Sequence, residues 1–276
     1  MKGFKIALAQ INAIPSNKDL NLQKISKFVT EAAKEKAKII CFPELSTCGY
    51  HRNLPINLSE NIMGFTSIKL LKMSKDKNIV IIAGMLEKDR NNTYITQVIA
   101  FPDGKIEKYR KTHLGKYERK KYSPGQNLPI FKTKDTQYQV ETVNFGIGIC
   151  YDLHFPEVVS SLSIQGAHII FAPHASPIPI KKRFEIWEKY MGARAYDNRV
   201  YLAACNLIGN NGYKKFGGGI GIWDPFGNLV KKYTKENEGI LSFDVDFDIL
   251  DNIRKNKSEH MKTPFFLKDR RTDLYL

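Results

Sequence analysis

The sequence of 276 residues has little cysteine, little tryptophan and no long apolar run. Its four cysteines, at positions 41, 48, 150 and 205, are too few for the disulfide framework of a secreted domain and favour a reducing cytoplasm. No segment approaches the roughly twenty consecutive apolar residues of a membrane helix. The first residues lead into an apparent strand without the longer apolar core of a signal peptide. We therefore expect a soluble, unprocessed cytoplasmic protein with no membrane partner.

Metal-ligand patterns are also missing from the sequence. The six histidines include no HxxxH pair, and the cysteines form no CxxC motif. We therefore expect no metal site.

Acidic residues are outnumbered by basic ones, which leaves a formal net charge of +15. Lysine supplies 33 of the 43 basic residues. This bias indicates lysines spread over the solvent-exposed surface more than a site for a specific partner. The segment 105–122 holds eight basic residues interleaved with three tyrosines, a pattern typical of polyanion-binding surfaces. The same segment contains Glu107 and Glu118, so we interpret it as the rim of a cleft or a solvated face. Nucleic acid is not the expected partner, and a basic polyanion-binding module is the non-enzymatic alternative.

Apolar runs alternate with amphipathic segments along the whole chain, which predicts an α/β fold, α+β in some classifications. The predicted helices are 21–37, 65–77, 156–165, 183–198 and 247–256. The predicted strands are 6–10, 39–45, 79–85, 94–101, 145–149, 168–174, 200–206, 220–223, 229–231 and 239–245. The two halves share this rhythm, and no linker rich in proline, glycine or serine separates them. The sequence therefore predicts one domain over residues 1–276 with internal pseudo-symmetry.

One cysteine stands where a predicted strand meets a predicted helix. Residues 145–149 form the apolar strand, and Phe155-Pro156-Glu157 supplies a helix start with proline in the first turn. Cys150 lies at the corner between them, and active sites of open α/β sheets collect at such corners. A lone cysteine is more often a buried packing residue, so its role depends on the rest of the chain. Cys41, Cys48 and Cys205 lie in apolar contexts without further support and are interpreted as structural.

Two other strand ends carry a carboxylate and a lysine. The segments Phe42-Pro43-Glu44-Leu45, Tyr109-Arg110-Lys111-Thr112-His113-Leu114 and Gly148-Ile149-Cys150-Tyr151-Asp152 resemble the three signature motifs of the nitrilase superfamily of carbon–nitrogen hydrolases. The similarity also covers residues 118–125, 193–198 and Gly227-Asn228, in order and over nearly the whole chain.

This resemblance implies a four-layer α-β-β-α sandwich and a homodimer or larger symmetric assembly. It implies a catalytic set of Glu44, Lys111 and Cys150, with Glu118 as an additional acidic residue. It also implies that Arg194 has a structural role.

The chemistry of these residue types agrees with that set. A free thiol has a pKa near 8.5, so Cys150 needs a base and a positive neighbour. Glu44 would take the thiol proton, and Lys111 would favour the thiolate and stabilise the oxyanion together with the backbone N–H of Tyr151. Attack on an amide leaves a thioester on Cys150, which a water activated by Glu44 and oriented by Glu118 would hydrolyse. The scheme requires no metal or organic cofactor.

The expected substrate is a small linear amide, with release of ammonia or an amine and a carboxylic acid. An N-carbamoyl amine or amino acid is the first alternative, and a nitrile is the second. Some carbamoylases carry arginine in the segment after the catalytic cysteine, whereas this chain has Leu153 and His154 there. The candidate substrate contacts are His154, His174, Ser176 and Tyr50.

Overall fold

The computed structural model of the chain describes residues 4–51, 55–135, 140–255 and 265–274. Within those ranges it has fourteen strands and five α-helices, in two large sheets and one two-stranded ribbon.

The first sheet contains six strands in the order β14-β1-β2-β3-β4-β5. Strands β1, β2 and β3 are parallel, and the remaining pairs are antiparallel. The strands of this sheet are β1 (Phe4–Gln10), β2 (Ile39–Cys41), β3 (Val80–Asp89), β4 (Asn92–Ala100), β5 (Ile106–Arg110) and β14 (Gly239–Val245).

The second sheet has the same plan, in the order β13-β12-β9-β8-β7-β6. Strands β7, β8 and β9 are parallel, and the outer pairs are antiparallel. The strands are β6 (Phe131–Asp135), β7 (Val140–Ile147), β8 (Ile169–His174), β9 (Tyr201–Asn206), β12 (Ile220–Trp223) and β13 (Leu229–Tyr233). The ribbon between β9 and β12 consists of β10 (Ile208–Asn210) and β11 (Lys215–Gly217).

Three apolar clusters stack the helices and sheets in four layers. One cluster joins α1 (Lys18–Lys34) and α2 (Phe65–Lys77) to the outer face of the first sheet. Another joins α3 (Pro156–Ile164) and α4 (Ile180–Asn198) to the outer face of the second sheet. The third lies between the sheets, where side chains such as Ile82 and Phe171 are fully buried. This arrangement confirms the predicted α-β-β-α sandwich, in which each sheet buries both faces.

Several element boundaries differ from the predicted ones for local reasons. Helix α1 begins at Lys18, three residues earlier than predicted, because the side chain of Asn17 caps it by accepting from the N–H of Leu20. Strands β5, β6, β10 and β11 were not predicted as strands. The last helix, α5 (Phe247–Lys255), matches its prediction except for Asn256, which lies outside the described residues. In the described ranges, no helix combines the length and the apolar composition that crossing a membrane requires.

Candidate active site

Glu44 lies in the tight loop that follows β2, which ends at Cys41 rather than continuing to the predicted Leu45. Pro43 lacks an N–H group and ends the ladder of hydrogen bonds. Leu45 then takes a positive φ of 51°, which turns the chain back. The loop rests on Gly84 of β3, where an added Cβ would lie only 2.2 Å from the backbone nitrogen of Leu45. This contact with a strand of the sheet holds Glu44 in a defined position.

Lys111 follows β5 directly and is only 2% exposed. Its backbone N–H donates to the carbonyl of Ile95, which extends the pairing with β4 by one residue. Its Nζ lies 2.7 Å from Oε1 of Glu44 and 2.9 Å from Oε1 of Glu118. A buried ammonium between two carboxylates keeps its charge and orients both acids.

Glu118 opens a 3-10 helix, Glu118–Lys120, and is held by two donors besides Lys111. Its Oε2 accepts the backbone N–H of Gly115 at 2.7 Å, and its Oε1 accepts the hydroxyl of Tyr50 at 3.0 Å. Tyr50, predicted as a substrate contact, therefore reaches the site as a partner of Glu118. The structure brings Glu44, Lys111 and Glu118 into one cluster, as predicted from their motifs.

Cys150 occupies the predicted corner, in a strained backbone conformation. Its φ is +48°, which costs about 1–2 kcal/mol for a residue other than glycine. A 3-10 helix, Cys150–His154, begins there and leads into α3. The backbone N–H of Ala175, just after β8, donates to the thiol. The backbone N–H of Tyr151 lies in the first turn of this short helix, where backbone N–H groups have no acceptor within the helix. An N–H group of this kind can donate to an oxyanion.

Asp152 connects the cysteine corner to the lysine loop, a role that its place in the motif did not reveal. Its carboxylate is fully buried and accepts the backbone N–H of Ile149 at 2.8 Å. The same carboxylate accepts the Tyr109 hydroxyl at 2.7 Å and, from the loop after Lys111, the Thr112 hydroxyl at 2.9 Å and the His113 backbone N–H at 2.8 Å. A single acid thus sets the position of Cys150 relative to Lys111.

The electrostatics of the site keep the thiol protonated at neutral pH. Burial raises the pKa of Cys150 to about 12; the charge of Glu44 adds to this rise, and the charge of Lys111 opposes it. Burial also raises the pKa of Glu44 to about 7, against the effect of Lys111. Burial alone would lower the pKa of Lys111, but the charges of Glu44, Cys150 and Glu118 raise it well above its usual value.

These pKa shifts refine the predicted role of the lysine. Lys111 does lower the pKa of the thiol, as predicted, but burial and the charge of Glu44 outweigh it. The thiol must therefore lose its proton during its attack rather than before it. Glu44 is the suitable acceptor, because its Oε2 is buried without a hydrogen-bond partner while its Oε1 is held by Lys111.

Two of the predicted substrate contacts are engaged within the protein. His174 is 1% exposed; its Nδ1 pairs with the carbonyl of Ala172 at 2.7 Å, and its Nε2 accepts from Trp187 at 3.3 Å. Packing of α4 on β8 therefore engages both ring nitrogens of His174, and neither is left free for the substrate contact that the sequence predicted. The Oγ of Ser176 accepts from the guanidinium of Arg183, so any contact with substrate is shared with that residue.

His154 lies on the exposed side of the short helix. Its ring packs against Tyr190, with ring centroids 4.9 Å apart, and its carbonyl accepts from Arg194 at 3.4 Å. Burial of the ring and the charges of Arg183 and Arg194 lower its pKa below the usual 6.5. This lowered pKa favours the neutral form of the His154 ring.

Much of the basic segment 105–122 pairs with acids of the same chain. Lys108 and Arg110 both contact the buried carboxylate of Glu87, and Lys111 joins the acids described above. No group of three or more His, Cys, Asp or Glu side chains in the described ranges is arranged to hold a metal ion.

Comparison with known proteins points to one family. A family model described as carbon-nitrogen hydrolase matches residues 5–255. The omega-amidase NIT2 of Mus musculus is 33% identical over 288 residues, which cover 100% of this chain and 98% of that protein. The nitrilase of Pyrococcus abyssi is 30% identical over 278 residues, which cover 98% of each chain.

Solved structures agree in fold. Nit3 of Saccharomyces cerevisiae, a member of branch 10 of the nitrilase superfamily, superposes with a TM-score of 0.81 at 28% identity, covering 95% of this chain and 96% of that chain. An amidase of Nesterenkonia sp. superposes with a TM-score of 0.81 at 23% identity, covering 99% of this chain and 95% of that chain.

Proposed function

The chain belongs to the carbon–nitrogen hydrolase family of the nitrilase superfamily, and from that premise we propose that it hydrolyses a small linear amide through a thioester on Cys150. The observation that carries the proposal is the convergence of three strand ends on one buried cluster. Lys111 lies within hydrogen-bond distance of both Glu44 and Glu118, and Asp152 ties the lysine loop to the Cys150 corner. The omega-amidase relative, at 33% identity, supports an amide as the substrate, and the nitrilase relative, at 30% identity, keeps a nitrile as the alternative.

In the proposed first step, Glu44 removes the thiol proton as the sulfur attacks the amide carbon. The carbonyl oxygen gains negative charge, which Lys111 and the N–H of Tyr151 stabilise. The carbon–nitrogen bond then breaks, protonated Glu44 gives its proton to the leaving nitrogen, and ammonia or an amine departs. The acyl group stays on Cys150 as a thioester.

In the second step, water attacks the thioester carbon while Glu44 accepts one of its protons. Glu118 is held by Lys111, Tyr50 and Gly115 in a position to orient that water. The carbon–sulfur bond breaks, the sulfur recovers a proton from Glu44, and the carboxylic acid leaves.

The test measures ammonia release from aliphatic amides, N-carbamoyl compounds and nitriles. Cys150→Ala is expected to lower turnover by more than about 10³-fold, since the nucleophile is lost. Cys205→Ala, which removes a buried thiol outside the cluster, is the matched control and should retain turnover. Rapid quenching of the wild-type protein with an amide should show the acyl mass on the peptide that contains Cys150. Absence of Cys150-dependent turnover on all three classes, with folding intact, would contradict the proposal.

A further inference from the structure

Arg183, on α4, is a buried cation without an acid to neutralise it. Arg183 is 5% exposed, and no carboxylate of the described ranges lies within ion-pair distance of its guanidinium group. One terminal nitrogen donates to Oγ of Ser176, the guanidinium carbon lies 5.6 Å from the centroid of the Trp187 ring, and Nε has no hydrogen-bond partner. Buried arginines are normally paired, because an uncompensated charge away from water costs several kcal/mol.

The position of Arg183 connects it to the nucleophile. Ser176, to which it donates, directly follows Ala175, whose N–H donates to the Cys150 thiol. The charge of Arg183 lowers the pKa of His154, whose ring packs against that of Tyr190 with centroids 4.9 Å apart. Ionisation of Cys150 would raise the pKa of Tyr190, whereas the charge of Arg183 lowers it. The arginine is therefore part of the surroundings of the thiol, on the side contributed by β8 and α4.

A second unpartnered polar group lies in the same place. The hydroxyl of Tyr190, seven residues after Arg183 on the same helix, is buried, and its proton has no hydrogen-bond acceptor among the described residues. A donor without an acceptor, beside a cation without an anion, matches what a bound carboxylate would supply. A buried charge or donor that lacks a partner is stabilised when a ligand supplies that partner, so such groups indicate a binding site.

We propose that Arg183, assisted by the hydroxyl of Tyr190, binds a carboxylate of the substrate, so that the preferred substrates carry a negative charge separate from the bond that is cleaved. This inference rests on the proposed function, since it assigns the substrate class of the same site. A guanidinium pairs with a carboxylate through parallel N–H donors, and the free Nε–H edge of Arg183 offers such a donor. His154 is less suited to this role, because its lowered pKa favours the neutral ring.

A carboxylate can belong to either part of the substrate. In the half-amide of a dicarboxylic acid it lies on the acyl group and stays on the enzyme as the thioester forms. In an N-carbamoyl amino acid it lies on the substituted nitrogen of the carbamoyl group, and it leaves the site as part of the amine product. Succinamate and N-carbamoyl-β-alanine represent the two cases, and butyramide is the neutral comparison with the same number of carbons as succinamate. The better of the two anionic substrates identifies where the charge is carried.

The experiment measures kcat/KM of the wild-type protein and its variants on these three compounds. The wild type should favour one anionic compound over butyramide by at least about tenfold. Arg183→Gln should lower that ratio by about 10- to 100-fold, mainly through KM, because a charge-assisted contact made before and during the reaction is lost. Arg183→Lys should recover part of the ratio. Lys182→Gln, which removes an exposed charge from the adjacent position, should leave the ratio unchanged.

Tyr190→Phe provides a second variant that keeps the ring packing and removes only the hydroxyl. It should lower the same ratio by about 3- to 10-fold. A wild type that prefers butyramide to both anionic compounds, or an Arg183→Gln protein that loses all three activities equally, would overturn the inference while leaving Cys150-dependent amide hydrolysis in place. Loss of Cys150-dependent turnover on every compound would instead overturn the proposed function, and the inference with it.

Discussion

Replacing Lys111 with methionine tests the central cation of the site. Methionine fills a similar volume without charge, so the change removes a predicted oxyanion donor and the partner of two buried carboxylates. Loss of one such donor costs about 2.7–4 kcal/mol of transition-state stabilisation, which corresponds to a fall of about 10²- to 10³-fold in kcat. We expect a loss of that size for Lys111→Met.

The pH dependence of the variant gives an independent readout. Lys111 lowers the pKa of Glu44, which burial and the charge of Glu118 raise. Without the lysine, the pKa of Glu44 should rise above its present value of about 7, so the carboxylate form that accepts the proton is reached only at higher pH. The acid limb of kcat/KM, expected near pH 7 in the wild type, should therefore move to higher pH.

The assay compares kcat/KM from pH 5.5 to pH 9 for the wild type, Lys111→Met and a control, Lys108→Met. Lys108 precedes Lys111 by three residues in β5 and contacts Glu87, which retains Arg110 as a partner. The control should keep both the rate and the acid limb. A loss of less than tenfold in Lys111→Met, or an acid limb that stays in place or moves to lower pH, would refute this account. Circular dichroism must confirm that both variants are folded.

Two further predictions concern acids of the same site. Glu44 binds its proton more tightly in the folded state, with a pKa of about 7 against 4.5 for an ordinary glutamate, so its ionisation should lower stability by about 3 kcal/mol between pH 4.5 and pH 7. The buried histidines His168 and His174, whose lowered pKa values act in the opposite direction, are common to the wild type and Glu44→Gln. Urea unfolding across that range should therefore show the wild type losing about 3 kcal/mol relative to Glu44→Gln, and an equal pH dependence of the two proteins would contradict the prediction. Asp152→Asn places an NH₂ group among four donors, so we expect a loss of about 2–4 kcal/mol in stability and at least tenfold in kcat. The exposed Glu157→Gln is its control, and wild-type kcat in Asp152→Asn would show that the carboxylate does not position the site.

The predicted alternation of strands and helices was reliable where strands are covered on both faces. Strands such as β3 and β8 consist almost entirely of buried apolar residues, so their runs are visible in the sequence. The missed strands β5, β6 and β11 are short and rich in lysine or other polar residues. Each of them is a strand because it pairs with the strand next to it along the chain. Such pairing does not require alternating apolar residues, so the sequence of these segments shows no periodic pattern.

The candidate catalytic residues were found because each lies in a short local motif. Glu44 and Cys150 follow apolar strands, and Lys111 lies in a short motif directly after the polar strand β5; both properties are local. The substrate contacts had no such local signal. His174 follows the same rule as Cys150, at the end of a parallel strand, but Trp187 of α4 occupies its free nitrogen. Whether a polar side chain faces a ligand or a neighbour depends on elements that pack from elsewhere in the chain.

The sequence by itself therefore determined the layered fold, the family and the residue types available for catalysis, because hydrophobic period and short motifs are properties of neighbouring residues. Only the tertiary structure decided which polar atoms are satisfied. Asp152 became the link between the Lys111 loop and the Cys150 corner, and Arg183 was left as a buried cation that contacts Ser176 and has no carboxylate partner in the described ranges. The physical reason is that hydrogen-bond satisfaction is set by contacts between distant segments, and such contacts exist only after α4 has packed on the second sheet.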